Sequence, residues 1–160
     1  MDAAQAVRPP ALLRSGETYA DRVHGAKLGV YSRTAEDDFA PYLVPQETGN
    51  HEGVRWAEVT DEYGHGMRVS AGDVRGCGCG CGCGCGADAS PFAVRLLSYS
   101  SLMLEETMHP DELPPVRNTY LRLLAAQMGA GDDTWGAPVH DEFQVPADRP
   151  LRLDVTLELL

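Results

Sequence analysis

No run of about eighteen apolar residues occurs anywhere in this 160-residue chain, and the opening MDAAQAVRPP has no apolar stretch behind a basic one. The first absence excludes a membrane-crossing helix and the second a secretory leader, so the expectation is a soluble, cytoplasmic protein. Basic residues are also scarce. Thirteen Lys and Arg stand against twenty-four Asp and Glu, giving a net charge of -11, and the few cations are scattered. Such a surface repels a phosphate backbone, which excludes nucleic acid as a partner. The chain falls short of the about 250 residues that a (β/α)8 barrel needs, and its length suits one domain with a modest core.

Cysteine is missing from the whole chain except residues 76–86, where all five alternate with glycine. This two-residue repeat is of low complexity and joins two predicted strands. If it were extended, Cys77, Cys79, Cys81, Cys83 and Cys85 would share one face, where thiolates could hold zinc or copper(I). Structural zinc sites, however, use paired knuckles parted by a loop, and an odd number of thiols leaves one over in any disulfide scheme. The preferred reading is a functionless expansion in a hairpin loop, with thiolate metal binding as the alternative.

What is present is dominated by strand signals: short alternating runs broken by Gly, Asp and Pro, as in an antiparallel sandwich. Leu151, Leu153, Val155, Leu157 and Leu159 alternate with polar residues and predict a half-buried C-terminal strand. Phe92, Val94 and Leu96 predict another strand, and residues 120–124 a third, more fully apolar. Residues 54–60 and 67–71 flank a glycine-containing stretch and predict a hairpin. One helix is expected, with Ser101 as its N-cap, residues 102–108 as its body and Pro110 as its stop; Glu105 and Glu106 then oppose its dipole. Residues 1–14 show no period and are expected to be disordered.

Few residues stand out as chemical groups. His51, His65, His109 and His140 lack a metal-ligand spacing, and a mutarotase-like site would need a histidine and a carboxylate converging on one pocket. Asp132 and Asp133 are adjacent, whereas the carboxylates of a glycosidase face each other across about 5–10 Å, so they read as turn formers. Trp56, with Val54 and Val59, reads as core or cross-strand packing. By residue type alone, Trp135 reads as a cap on the core beside Pro138 and Phe143.

Three segments carry a specific resemblance. They are PYLVPQETGN (41–50) followed by Val54-Arg55-Trp56, HPDELP (109–114), and QMGAGDDTWG (127–136); GETYADR (16–22) is a weaker fourth. In this order and spacing they are similar to the C-terminal domain of the glycoside hydrolase family 2 β-galactosidases. The resemblance runs from about residue 15 to the C-terminus and excludes the Gly-Cys repeat at 76–86. It implies an all-β fold, an antiparallel β-sandwich of the galactose mutarotase-like supersandwich type, present only in part, as one domain over 15–160. It further implies a role in hydrolysing terminal β-D-galactosyl residues of lactose-like sugars, with the two catalytic glutamates on a barrel absent from this chain. No catalytic residue carries over, and the chain alone is expected to be inactive.

One functional residue does carry over. The resemblance implies that Trp135 stacks on the β-galactoside at the mouth of the active site, a task suited to a flat indole that can lie on the C–H face of a pyranose. The loop before it, 129–133, is one glycine shorter than the family's pattern. Complete members of the family use magnesium and sodium at sites in other domains, so no cofactor is expected in this chain. The implied partner is a chain or domain carrying the barrel, within an oligomeric enzyme; an independent mutarotase-like enzyme is the other alternative.

Overall fold

The structure is a computed structural model that describes residues 16–22, 24, 26–72, 91–132 and 136–160. The expectations for residues 1–14 and for the Gly-Cys repeat fall outside the described residues. Six strands run in the order β1 (Asn50–Val54), β2 (Trp56–Thr60), β3 (Gly66–Ala71), β4 (Phe92–Leu97), β5 (Tyr120–Leu124) and β6 (Val155–Leu159). A short helix, α1 (Ser101–Glu105), follows β4. They form two three-stranded antiparallel sheets, β1-β4-β5 and β2-β3-β6. The fold is all-β, a partial sandwich. No helix among the described residues is long and apolar enough to cross a membrane.

Alternation accounts for how the sheets meet. Val69 of β3 packs against Phe92 and Val94 of β4, and Val54, Ala57, Ala71, Leu121, Leu123 and Val155 close around them, so every strand contributes to one core. Burial of each large member stabilises by about 1.5–3 kcal/mol. β1 and β2 belong to different sheets although only Arg55 separates them. The register of β1 on β4 shifts between His51 and Val54, and the chain then bends at Arg55 to cross between the layers.

The expected hairpin is present as β2 and β3, paired from Trp56 opposite Ser70 to Thr60 opposite Gly66. Asp61 shapes its turn, because its Oδ1 accepts the N–H groups of Tyr63 and His65, both at 2.9 Å. Burial alone pushes the Asp61 carboxyl up, yet these N–H bonds and His65 outweigh it and hold it below its ordinary value. β5 spans the expected 120–124.

Four expectations need correction. The N-cap of α1 is Ser100, whose side chain accepts Met103 N–H at 3.2 Å, and the helix stops after five residues. A serine pair offers two candidate caps, and only coordinates separate them. Glu105 therefore ends the helix and Glu106 caps it, at the pole where a carboxylate is disfavoured. Trp56 is 45% exposed and outside the core, so only the cross-strand half of its expectation holds: it packs under the Arg68 guanidinium of the paired strand β3 at 5.6 Å. Finally, the C-terminal strand begins only at Val155, and beyond that core residue its apolar face is bare, with Leu157 61% and Leu159 90% exposed. Alternation correctly placed these residues on one face. It could not tell whether anything covers that face.

Candidate functional site

The outer face of the β1-β4-β5 sheet carries a polar cluster. Asn50, Arg95 and Arg122 lie side by side at one register across the three strands. Phe92, Ala93, Val94 and Arg95 are all buried, so segments outside the sheet must cover this face as the core covers the other.

Glu47 is the principal clamp. Its Oε2 accepts from Arg95 Nη1, and its Oε1 accepts from both Arg122 Nη1 and Ser101 Oγ. Arg95, only 2% exposed, also donates from Nη2 to Gln127 Oε1 at 2.7 Å and reaches Asn50 Oδ1 at 3.5 Å. Burial pulls the Arg95 guanidinium below its ordinary range, while Tyr19 and Glu17 pull it the other way.

The segment 16–22 straps this cluster to β1. Asn50 Nδ2 donates to Thr18 O at 2.8 Å, and Thr18 Oγ1 accepts Glu52 N–H at 2.8 Å. Burial raises the Glu52 carboxyl, against bonds from Asn50 and Gly53. Glu17 Oε2 accepts Gly49 N–H at 3.1 Å and the Tyr19 hydroxyl at 3.3 Å. Gly49 has φ +70, and a Cβ there would lie 2.6 Å from Asp38 O, so only glycine fits. The Tyr19 phenol is pushed up to about 12, chiefly by burial and then by the Glu17 carboxylate.

The same strap holds the start of the 127–136 segment. Arg22 Nε lies 3.7 Å from Asp132 Oδ1, and a Cβ on Gly131 would collide with the Asp21 carboxylate, so loop and strap are in direct contact. Asp132 lies at a bend beside Arg22; Asp133 and Trp135 are outside the described residues. Just beyond, residues 137–142 and Gln144 line an open depression of about 660 Å3.

These contacts decide what the cluster can do chemically. Both oxygens of Glu47 are held by guanidinium or hydroxyl donors, so its side chain is anchored in place. Three guanidiniums, Arg22, Arg95 and Arg122, face the three carboxylates Glu17, Glu47 and Asp132. The arrangement fixes geometry: it ties the loop entering Trp135 to the buried row of the sheet through Gln127 and Asp132.

His51, His65 and His109 do not form a mutarotase-like site. His51 does meet a carboxylate, with Nε2 3.0 Å from Asp38 Oδ2, but Nδ1 is 3.2 Å from Gly16 O, and Asp38 also binds Arg33 at 3.0 Å. Both ring nitrogens are engaged within the protein, leaving none for a sugar. His65 pairs with Asp61 in the exposed turn, and His109 N–H donates to Glu112, whose carboxyl is held low by that bond and one from Met108. No group of three or more His, Cys, Asp or Glu among the described residues could hold a metal ion.

Sequence reasoning missed Arg95, Glu47 and Gln127 as a unit. Glu47 and Gln127 lie inside segments that carry the resemblance, but Arg95 interrupts an apolar strand, and that buried cation was the available signal.

Comparison with known proteins gives the same direction. The family model described as "Beta galactosidase small chain" matches residues 14–157. Similar proteins include the β-galactosidase BgaC of Bifidobacterium adolescentis, 61% identical over 144 residues covering 89% of this chain and 12% of that protein. Another is a β-galactosidase of Streptococcus thermophilus, 39% identical over 145 residues, 90% of this chain and 13% of that protein. A third is the β-galactosidase small subunit of Latilactobacillus sakei, 33% identical over 145 residues, 89% of this chain and 43% of the subunit. The chain thus spans roughly an eighth of the long relatives and less than half of the small subunit. The match over 14–157 takes in β1 to β5, the first three residues of β6 and the Glu47–Arg95–Gln127 cluster, and on it this chain belongs to the β-galactosidase small-chain family.

Proposed function

We propose that this chain is the accessory, sugar-positioning part of a β-galactosidase of the glycoside hydrolase family 2 type, corresponding to part of its C-terminal sandwich over residues 15–160. Bond cleavage belongs to carboxylates on a barrel domain or a separate large chain. Trp135 lies flat on the galactoside in the leaving-group subsite, and if a separate chain carries the barrel, this one is its small subunit.

The observation that carries this reading is the convergence of the resembling segments. Residues 16–22, 41–50 and 127–132 meet around Arg95, which anchors the loop that leads into Trp135. An aromatic anchor needs such support, because a site held loosely by about an ångström loses most of its effect. Exposed apolar side chains supply the surface for a partner: Leu43 is 85% and Leu159 90% exposed.

The experiment is a chimera. In the B. adolescentis β-galactosidase, the region matching this chain is replaced by residues 14–157, and hydrolysis of a chromogenic β-galactoside is followed. The expected result is an active chimera and an inactive isolated chain. An isolated chain that hydrolyses the substrate, or a folded chimera without activity, refutes the accessory role.

A further inference from the structure

A second cavity lies away from the Arg95 cluster, where the end of β4, helix α1 and the approach to β5 enclose about 240 Å3. We propose that this cavity binds a single pyranose ring. The inference stands apart from the role of Trp135.

The floor supplies the first argument. Ser98 is 5% exposed, and its Oγ has no hydrogen-bond partner among the described residues. A buried hydroxyl left unpaired costs about 1–3 kcal/mol, a penalty removed when rotation of the Ser98 side chain, which lines the cavity, turns its now sealed Oγ to a ligand hydroxyl. The Tyr120 hydroxyl, on the same wall, reaches only the Met103 thioether at 3.9 Å. Sulfur is a weak acceptor, so this O–H is ready to exchange it for a ligand oxygen.

The walls supply the second. Tyr99, Met103, Pro114 and Tyr120 present apolar surface, and the Tyr99 ring is held by a tilted contact with Phe39 at 5.4 Å. Flat apolar walls over a hydroxylated floor match a pyranose, which has C–H faces and a hydroxyl rim. Arg117 and Asn118 stand exposed at the mouth, adding donors for outer hydroxyls. The volume lies below the about 300–1,000 Å3 of pockets for drug-sized ligands, which suits one ring and excludes a disaccharide. Glu105 and Glu106 on the adjoining helix, and the net charge of -11, disfavour an anionic sugar.

The test uses the full chain with 13C-methyl methionine, titrated with D-galactose and D-glucose. Met103 lines the cavity, whereas Met128 lies elsewhere, its sulfur 3.2 Å from Val145 N. The Met103 methyl signal is expected to shift with a dissociation constant in the range of about 1–10 mM while Met128 stays still. Ser98→Ala should weaken this at least about fivefold, and Arg117→Ala, at an exposed position, should weaken it without touching the core. Trp135→Ala should leave it unchanged. The proposal is overturned if neither sugar moves Met103 up to about 100 mM, if both cavity variants bind like the parent, or if Trp135→Ala abolishes the response.

Discussion

Replacing Glu47 by Gln removes the one carboxylate that faces both Arg95 and Arg122. Arg95 is 2% exposed and cannot turn to water, so the variant keeps a buried cation beside a second cation with no carboxylate bonded to either and only the more distant Glu17 as counter-charge. Breaking a buried pair by removing one partner costs about 3–5 kcal/mol. The Glu47 side chain is 32% exposed, so solvent relieves part of this and about 2–4 kcal/mol is expected. Against the about 5–15 kcal/mol that holds a domain together, that is a large fraction. In urea unfolding followed by circular dichroism, the midpoint should fall by about 1 M or more. Arg122→Met removes a cation that is 31% exposed and should cost about 1 kcal/mol or less. The double variant Glu47→Gln/Arg95→Met should be more stable than the sum of its single changes by at least about 1 kcal/mol, because the second change deletes the stranded charge. A Glu47→Gln midpoint within about 0.3 M of the parent, or strictly additive effects, refutes the claim that this cluster anchors the fold.

The bare face of β6 predicts self-association: Leu157→Ser/Leu159→Lys should reduce higher species in size-exclusion chromatography and leave the unfolding free energy within about 0.5 kcal/mol of the parent. Larger aggregates from this variant would count against that face as the cause. Tyr19 has its folded pKa raised from 10.0 to about 12, so its contribution is complete below pH 10 and disappears as the pH climbs to about 12. Stability should fall across that window by at most about 2 kcal/mol after allowance for solvent, and Tyr19→Phe should remove this part of the slope; an unchanged slope refutes it.

Period-two patterns made the strands legible, because an apolar residue every second position has one physical meaning whether or not its partner is known. The expected runs 54–60, 67–71 and 92–96 followed from it and fall on β2, β3 and β4, whereas β1 and the bend at Arg55 that moves the chain between sheets did not. Burial was harder to read. Alternation cannot distinguish Val155, packed on the core, from Leu159 four residues later, open to water, because the difference lies in whether an opposing layer reaches that far. The cap of α1 shifted by one position for a similar reason, since Ser100 and Ser101 are equally competent and the approach of Met103 N decides between them.

The site was legible in part. Its segments are recognisable as sequence, but the bond from Glu47 to Arg95 spans 48 residues, and that from Arg95 to Gln127 spans 32. Such pairings depend on sheet register, which neither periodicity nor residue type supplies. Arg95 is the instructive case: a charged residue inside an apolar run is bound to have partners, and the sequence does not say which.

The central claim concerns the indole beyond the anchored loop, and acceptor kinetics in the active chimera test it most directly. With Trp135→Ala, the concentration of glucose needed to divert the galactosyl group from water should rise about tenfold, the worth of one aromatic anchor, while donor hydrolysis stays within about twofold. An acceptor dependence identical to that of the parent chimera would contradict the account.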